Sequence, residues 1–273
     1  MGWFRGNPIA RSVEVDRTQW FQIVRRRVSI LLLLTRRTLG ERFSRSRFAG
    51  LVSVFEPLGM ILMFTLLHSL VPGPPPFGSS GLLFFASGVM PFYLFFHLSS
   101  RIRNIDNYRP FPGATRIDHV VARAIGEVFT KFTIFFAFVI ITSFFDPAVN
   151  FPVNPFICMA AMASMATLGC AIGLVNATIV SMFSSWVYIY ALIGRIPLFL
   201  SGIPFVQDRA PVYIRDLIAS TPFSHLITWF RSGYYVGYPT KTMDLPFALS
   251  ICAIALFIGI LIDDNTREYR STD

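Results

Sequence analysis

Charge is scarce in this sequence. Only 14% of its 273 residues are Asp, Glu, Lys or Arg, against 53% hydrophobic, a balance that no soluble domain of this length needs to fill one core. The apolar residues stand in long runs, so lipid is the expected solvent for most of the chain. Cysteine is almost absent: Cys158, Cys170 and Cys252 fall inside apolar runs without ligand spacing, which argues against a disulfide framework and a zinc site. The four histidines, His68, His97, His119 and His225, are scattered and form no metal motif. There is no GxxxxGK[ST] phosphate cradle, so the chain does not bind ATP in the P-loop manner, and any nucleotide-driven work belongs to another polypeptide. No HExxH and no carboxylate pair of catalytic spacing lies within an apolar run; Asp263-Asp264 reads as a solvated helix end.

What charge there is sits in particular places. The net charge is +9; of 24 basic residues, 11 lie in the first 47 positions and five more between Arg101 and Arg123. These flank apolar runs, as the positive-inside rule expects of cytoplasmic segments, and no nucleic-acid fold pattern accompanies them. At the amino terminus, Arg25, Arg26 and Arg27 precede the run Val28 to Leu34, which then meets Arg36, Arg37, Arg42, Arg45 and Arg47 instead of a cleavage site. Read as a helix, Trp20, Val24, Val28, Leu31 and Leu34 share one face. An interfacial helix on the anionic cytoplasmic leaflet fits; a solvated basic tail is the alternative.

The fold expected is all-α and integral to the membrane, with six transmembrane helices at about 51–71, 82–99, 125–145, 156–182, 186–205 and 245–262. The connections after the first and third runs lack Lys and Arg, while that after the second is Arg-rich, which places both termini inside the cell. The fourth run is dense in small residues and holds a Gly169-to-Gly173 GxxxG step, suited to central packing or a dimer contact. Most of the 29 Phe are expected to meet lipid. Between the fifth and sixth runs, Pro211, Pro222 and Pro239 punctuate apolar stretches that suit two short re-entrant or interfacial helices on the outer face. The division is thus a basic N-terminal segment at 1–48, a six-span domain at 49–265 holding a cytoplasmic segment at 101–124 and an outer hairpin at 206–244, and a cytoplasmic tail at 266–273.

Arg195 is the sharpest single feature, since an arginine in mid-span costs about 2.5–3.5 kcal/mol on insertion scales. Glu56, inside the first span, is the natural partner. Two readings stay open: a buried pair that fixes helix packing, or a cationic lining that meets an anionic or hydroxyl-rich substrate. Phe129, Phe132 and Phe136 share one face of the third span, and aromatic rings stack on sugar faces. The cytoplasmic stretch Asp106 to Pro112, with the short amphipathic segment Thr115 to Ala124, is either a solvated connector or the place where force from a partner enters.

Arg195-Ile196-Pro197-Leu198-Phe199-Leu200-Ser201-Gly202-Ile203-Pro204-Phe205 resembles the fifth-span signature of the permeases of type-two ATP-binding-cassette exporters, specifically the capsular-polysaccharide export permeases and their O-antigen relatives. Pro211, Pro222, His225 and Arg231 stand where that family carries its outer Pro, His and Arg, and Glu56-Pro57 is likewise familiar. Thr221 and Thr228 depart from the usual Asn and acidic residue. The likeness covers roughly 20–262. It implies a homodimer in the bacterial inner membrane joined to two copies of an ATPase subunit, which alone would hold ATP and Mg, and a long glycan on a lipid anchor as substrate. Asn107, Tyr108, Arg109, Pro110, Arg116 and Asp118 would form the coupling helix, and Ser201, Gly202, Pro222, His225 and Arg231 the periplasmic gate. Arg195 and Glu56, with Tyr188, Phe199, Phe129, Phe132 and Phe136, would line the channel. A periplasmic adaptor or outer-membrane export protein would be a further partner. The competing readings are export of O-antigen, a teichoic-acid-like glycan or a smaller lipid or drug, and a membrane-embedded transferase, which would need clustered acidic or His residues.

Overall fold

A computed structural model describes residues 17–44, 47–70, 73–100, 114–146, 149 and 151–266. All regular structure among them is helical. In chain order the elements are α1 (Arg17–Ser44), α2 (Arg47–Ser69), α3 (Gly81–Ser100), α4 (Arg116–Phe145), α5 (Pro155–Met182), α6 (Trp186–Ile193), α7 (Ile196–Phe199), a 3-10 turn (Gln207–Arg209), α8 (Val212–Ala219), α9 (Pro222–Tyr234) and α10 (Leu245–Asn265). Four of these, α3, α4, α5 and α10, are long and apolar enough to cross a membrane. Their starts are written locally. The Thr115 hydroxyl accepts from Asp118 N–H while the Asp118 carboxylate accepts from Thr115 N–H, a capping box at the head of α4. Asn154 caps α5 with Pro155 at its first position, and Asp244 caps α10 by accepting from Phe247 N–H.

One expected span is shorter: the fifth run yields only Trp186–Phe199. That run breaks at Gly194 and Arg195, where Arg195 N–H turns back to Leu192 O at 3.2 Å, and Pro197 has no N–H to return to Ile193. Its 14 helical and near-helical positions reach about 21 Å at 1.5 Å per residue, short of the ~30 Å hydrocarbon core. The third helix, by contrast, starts earlier than expected: residues 115–124 are the cap and first turns of the continuous 30-residue α4, not a separate amphipathic segment.

The core is built around α3 and α5. Nearly all of the apolar stretch of α3 is buried, 89%, against 17% for α4 and for α10, so α3 is the centre and α4 and α10 form the outer wall. Phe84, Phe85, Phe92, Phe95 and Phe96 of α3 are therefore core residues, contrary to the expectation that they meet lipid; Phe144, Phe145 and Phe156 are among those that do face outward. The small-residue step on α5 packs within the chain. A Cβ on Gly169 would stand 3.0 Å from Phe95 O, and one on Gly173 2.7 Å from Leu98 O, so the two backbones touch only because those side chains are missing. Gly259 of α10 approaches Ala171 O in the same way.

α1 lies along α4, with Ile30 and Leu34 packed on Ala122 and Thr35 Oγ1 donating to Ala122 O at 3.3 Å. The face it uses is Ile30, Leu34 and Thr38, whereas Val24 and Val28 of the expected face are exposed. The leucine run surrounds the helix, so periodicity alone did not select the stripe.

Candidate functional site

The Arg195–Glu56 pair forms, and it is one end of a longer array. Arg195 Nη2 donates to Glu56 Oε1 at 3.1 Å. The other oxygen of Glu56 lies 3.4 Å from His97 Nε2, and His97 Nδ1 faces Glu127 Oε2 at 3.9 Å. The array runs from surface to interior: side-chain exposure falls from 50% at Arg195 and 27% at Glu56 to 3% at His97 and 1% at Glu127. Each member comes from a different element. The break between α6 and α7 presents Arg195, with its guanidinium 5.2 Å from the Phe96 ring. Glu56 precedes Pro57 inside α2, His97 occupies the last turn of α3, and Glu127 lies on the buried face of α4.

The residues expected to line a channel do not all meet there. Tyr188 on α6 and Phe199 on α7 are exposed on the element that carries Arg195. Phe129, Phe132 and Phe136 line a different feature, an apolar groove of about 810 Å³ between α4, α5 and α10 with Val128, Met159 and Ile260. Helix geometry separates the two: Phe129 is two residues from Glu127, about 200° round α4. His97 and Glu127 were not among the expected site residues. The signal was present, for Arg123, Glu127 and Lys131 follow one another at four-residue spacing inside an apolar run, one helical face carrying three charges, and all three are buried. Among the described residues no group of His, Cys, Asp and Glu is arranged to hold a metal.

Of the residues expected at an outer gate, Gly202 and Arg231 meet in a buried polar knot, with Ser201, Pro222 and His225 engaged beside it. Arg231 of α9 is 1% exposed. Its Nη1 donates to Gly202 O at 3.0 Å and its Nη2 to Ile203 O at 2.8 Å and Phe84 O at 3.2 Å, while Nε reaches Ser87 Oγ at 3.3 Å. The guanidinium also lies over the Phe84 ring, 3.9 Å from its centroid. Backbone carbonyls thus compensate this cation. Two glycines make room: Gly202 turns the chain at φ +71, and a Cβ on Gly88 would stand 2.8 Å from Arg231 Nη2. Ser201 Oγ donates to Leu198 O, and Pro222 opens α9. His225 donates from Nε2 to Ala219 O at 2.8 Å and accepts Asp244 N–H on Nδ1 at 3.0 Å, which fixes the Nε2–H tautomer and ties α9 to the head of α10. Thr221 Oγ1 donates to Ile218 O, and Thr228 Oγ1 to Gln207 Oε1, so both departures from the family pattern are hydrogen-bonded within the knot or beside it. Nearby, burial would raise the Asp208 carboxyl, but donors from Thr242 Oγ1 and the Lys241 and Thr242 N–H groups outweigh it and hold Asp208 below its ordinary range.

Of the expected coupling residues, Asn107, Tyr108, Arg109 and Pro110 lie outside the described residues. Arg116 and Asp118 at the head of α4 are engaged within the chain: Arg116 Nη1 meets Asp263 Oδ1 of α10 at 2.7 Å, and Asp118 Oδ2 meets Arg27 Nη1 of α1 at 2.7 Å. The head of α4 is therefore tied to α1 on one side and α10 on the other.

A chain so built, with long apolar helices, a buried polar knot and no phosphate cradle, matches known proteins along most of its length. Two Escherichia coli proteins named polysialic acid transport protein KpsM are each 23% identical over 261 residues, 91% of this chain and 96% of theirs. The capsule polysaccharide export inner-membrane protein CtrC of Neisseria meningitidis serogroup A is 25% identical over 146 residues, 52% of this chain and 53% of that protein. The family model for the ABC-2 type transporter matches residues 29–235, and the chain accordingly belongs to that family of transporter membrane proteins.

Proposed function

We propose that this chain is the membrane-spanning subunit of an exporter that carries a lipid-anchored capsular polysaccharide across the bacterial inner membrane. The observation that carries the reading is the similarity to a polysialic acid transport protein over nearly the full length of both chains. A homodimer of the chain encloses the path, two copies of a separate ATPase subunit bind ATP and Mg, and a periplasmic adaptor or outer-membrane export protein receives the polymer. α2 and the broken α6–α7 unit complete six spans with the four longer helices, and both termini lie in the cytoplasm. α1 rests on the cytoplasmic leaflet, its unpacked face carrying Arg25, Arg26 and Arg36 beside exposed Phe21, Val24 and Val28. The segment at 107–123 receives the ATPase stroke, Arg195 contacts the passing glycan, and the knot around Arg231 anchors the outer gate.

Deleting the gene in its host while keeping the synthesis genes tests this. Polymer is expected to accumulate inside the cells and return to the surface when the chain is restored; an undiminished surface capsule in the deletion strain would refute the reading. Replacing Arg109 by Glu is expected to trap polymer in the same way.

A further inference from the structure

We propose that His97 and Glu127 act with Glu56 as an intramembrane relay that sets how firmly Arg195 is held, and so tie the exposure of the arginine to the position of α4. The inference deepens the reading of Arg195 as the residue that meets the polymer, and rests on it for the polymer but not for the relay.

Glu56 divides its two oxygens between Arg195 at 3.1 Å and His97 at 3.4 Å. A carboxylate shared between two donors holds each less firmly than one it serves alone. His97 is nearly sealed from solvent, and its Nδ1 is buried without a hydrogen-bond partner, an arrangement that native interiors rarely leave unexplained. The group facing that nitrogen is Glu127, at 3.9 Å, beyond hydrogen-bond reach by about 1 Å. A neutral imidazole carries one N–H and donates to one carboxylate at a time. Glu56 and Glu127 therefore compete for it.

Glu127 rides on α4, the helix whose head follows the segment at 107–113 and is tied to Arg27 and Asp263. Helix shifts of about 1–2 Å are ordinary in transporters and switches. A shift that brings Glu127 within reach of Nδ1 favours the tautomer with its hydrogen there: Nε2 gives its proton to water at the partly exposed side of Glu56, and Nδ1 takes one from water that the moving helix admits. One proton leaves and one arrives, so the ring holds one in both states. The bare Nε2 lone pair then faces Glu56, which turns wholly to Arg195 and withdraws it. With α4 as found here, the N–H serves Glu56 and Arg195 stands half exposed. His97 and Glu127 are thus positioning residues.

Arginine modification by phenylglyoxal reads the relay directly, with the modified peptides counted by mass spectrometry in membranes holding the full complex. His97→Phe is expected to slow modification of Arg195 by about fivefold, the low end of coupling between sites, because Glu56 is left to the arginine alone. Glu127→Gln is expected to keep or raise the wild-type rate and to abolish the change that ATP produces in the wild type. Buried Arg231 is the internal control and stays unmodified in any variant that folds; should His97→Phe fail that control, His97→Gln and Glu127→Asp take its place. Rates at Arg195 within twofold of wild type in both variants, with Arg231 protected, would overturn the relay. With polysialic acid as the probe, the concentration that half-saturates ATP hydrolysis is expected to rise in His97→Phe and not in Glu127→Gln. If the modification rates split while hydrolysis ignores the polymer in every variant, the relay stands and the polymer reading falls.

Discussion

Replacing Asp263 by Asn leaves Arg116 facing a neutral amide in a place that water hardly reaches. The pair is 2.7 Å long with side-chain exposures of 17% and 4%. Arg27–Asp118 has the same length at the same end of α4, but its exposures are 50% and 14%. Distance is thereby held constant, and only the surroundings differ. Losing one partner of a buried pair costs up to about 3–5 kcal/mol when the other charge is left alone, whereas an exposed pair contributes ~0–1 kcal/mol; Arg116 keeps other contacts, so the loss falls between these limits. Asp263→Asn is thus expected to lower the folded-to-unfolded ratio by about tenfold or more, since each 1.4 kcal/mol is tenfold, and Arg27→Gln by no more than about fivefold. Unfolding of the purified chain in mixed micelles by increasing SDS measures both. The double variant Arg116→Met with Asp263→Leu replaces both ions with apolar groups of similar size and is expected to recover part of the loss. If Asp263→Asn unfolds within about 1 kcal/mol of wild type, the head of α4 is wetter than its packing indicates, and the tie to α10 carries no force.

Three other outcomes follow from the packing. Gly173→Ala, whose Cβ would press on Leu98 O at 2.7 Å, is expected to cost about 1–3 kcal/mol in the same assay, while Gly59→Ala, with nothing within 4 Å, is expected to be neutral or stabilising by up to about 1 kcal/mol. Arg231→Lys keeps the charge but has no planar fork to serve the carbonyls of Gly202, Ile203 and Phe84, so folded yield is expected to fall as far as with Arg231→Met. The lowered Asp208 carboxyl stabilises the loop that carries Lys241 and Thr242 fully above about pH 4 and loses that effect as pH falls through its folded-state value; hydrogen-exchange protection of the Lys241 and Thr242 amides is expected to drop on acidification, and Asp208→Asn to remove most of it at neutral pH.

The Arg195–Glu56 pair was legible because a charge in lipid needs a partner and the sequence offers Glu56 at a similar depth. His97 was not, since a histidine can sit neutral in an apolar run and spacing says nothing about which helix it faces. Glu127 was within reach, flanked four residues away on either side by Arg123 and Lys131. The early start of α4 was also written in the sequence as Thr115-x-x-Asp118, a capping signature; so was the break before Pro197, in Gly194 and the proline itself, but the length of the apolar run outweighed them.

Which helix would be central could not be read from apolarity, for a physical reason. Lipid tails are as apolar as leucine, so greasiness does not drive one membrane helix into the middle of the others. The burial order here shows the consequence. Of the four crossing helices, α10 has the highest mean hydropathy and is among the least buried, while α3 has the lowest and is the most buried. What places α3 inside is close approach: Gly169 and Gly173 of α5 admit its backbone, Gly88 on α3 itself leaves room for Arg231, and the carbonyl of Phe84 on α3 helps to satisfy that arginine. Small residues and hydrogen-bonded polar groups hold the interior, and the greasiest surfaces are left to the bilayer. The same logic locates the array from Arg195 to Glu127: it crosses the central helix, because only there are enough neighbouring elements present to compensate each of its charges.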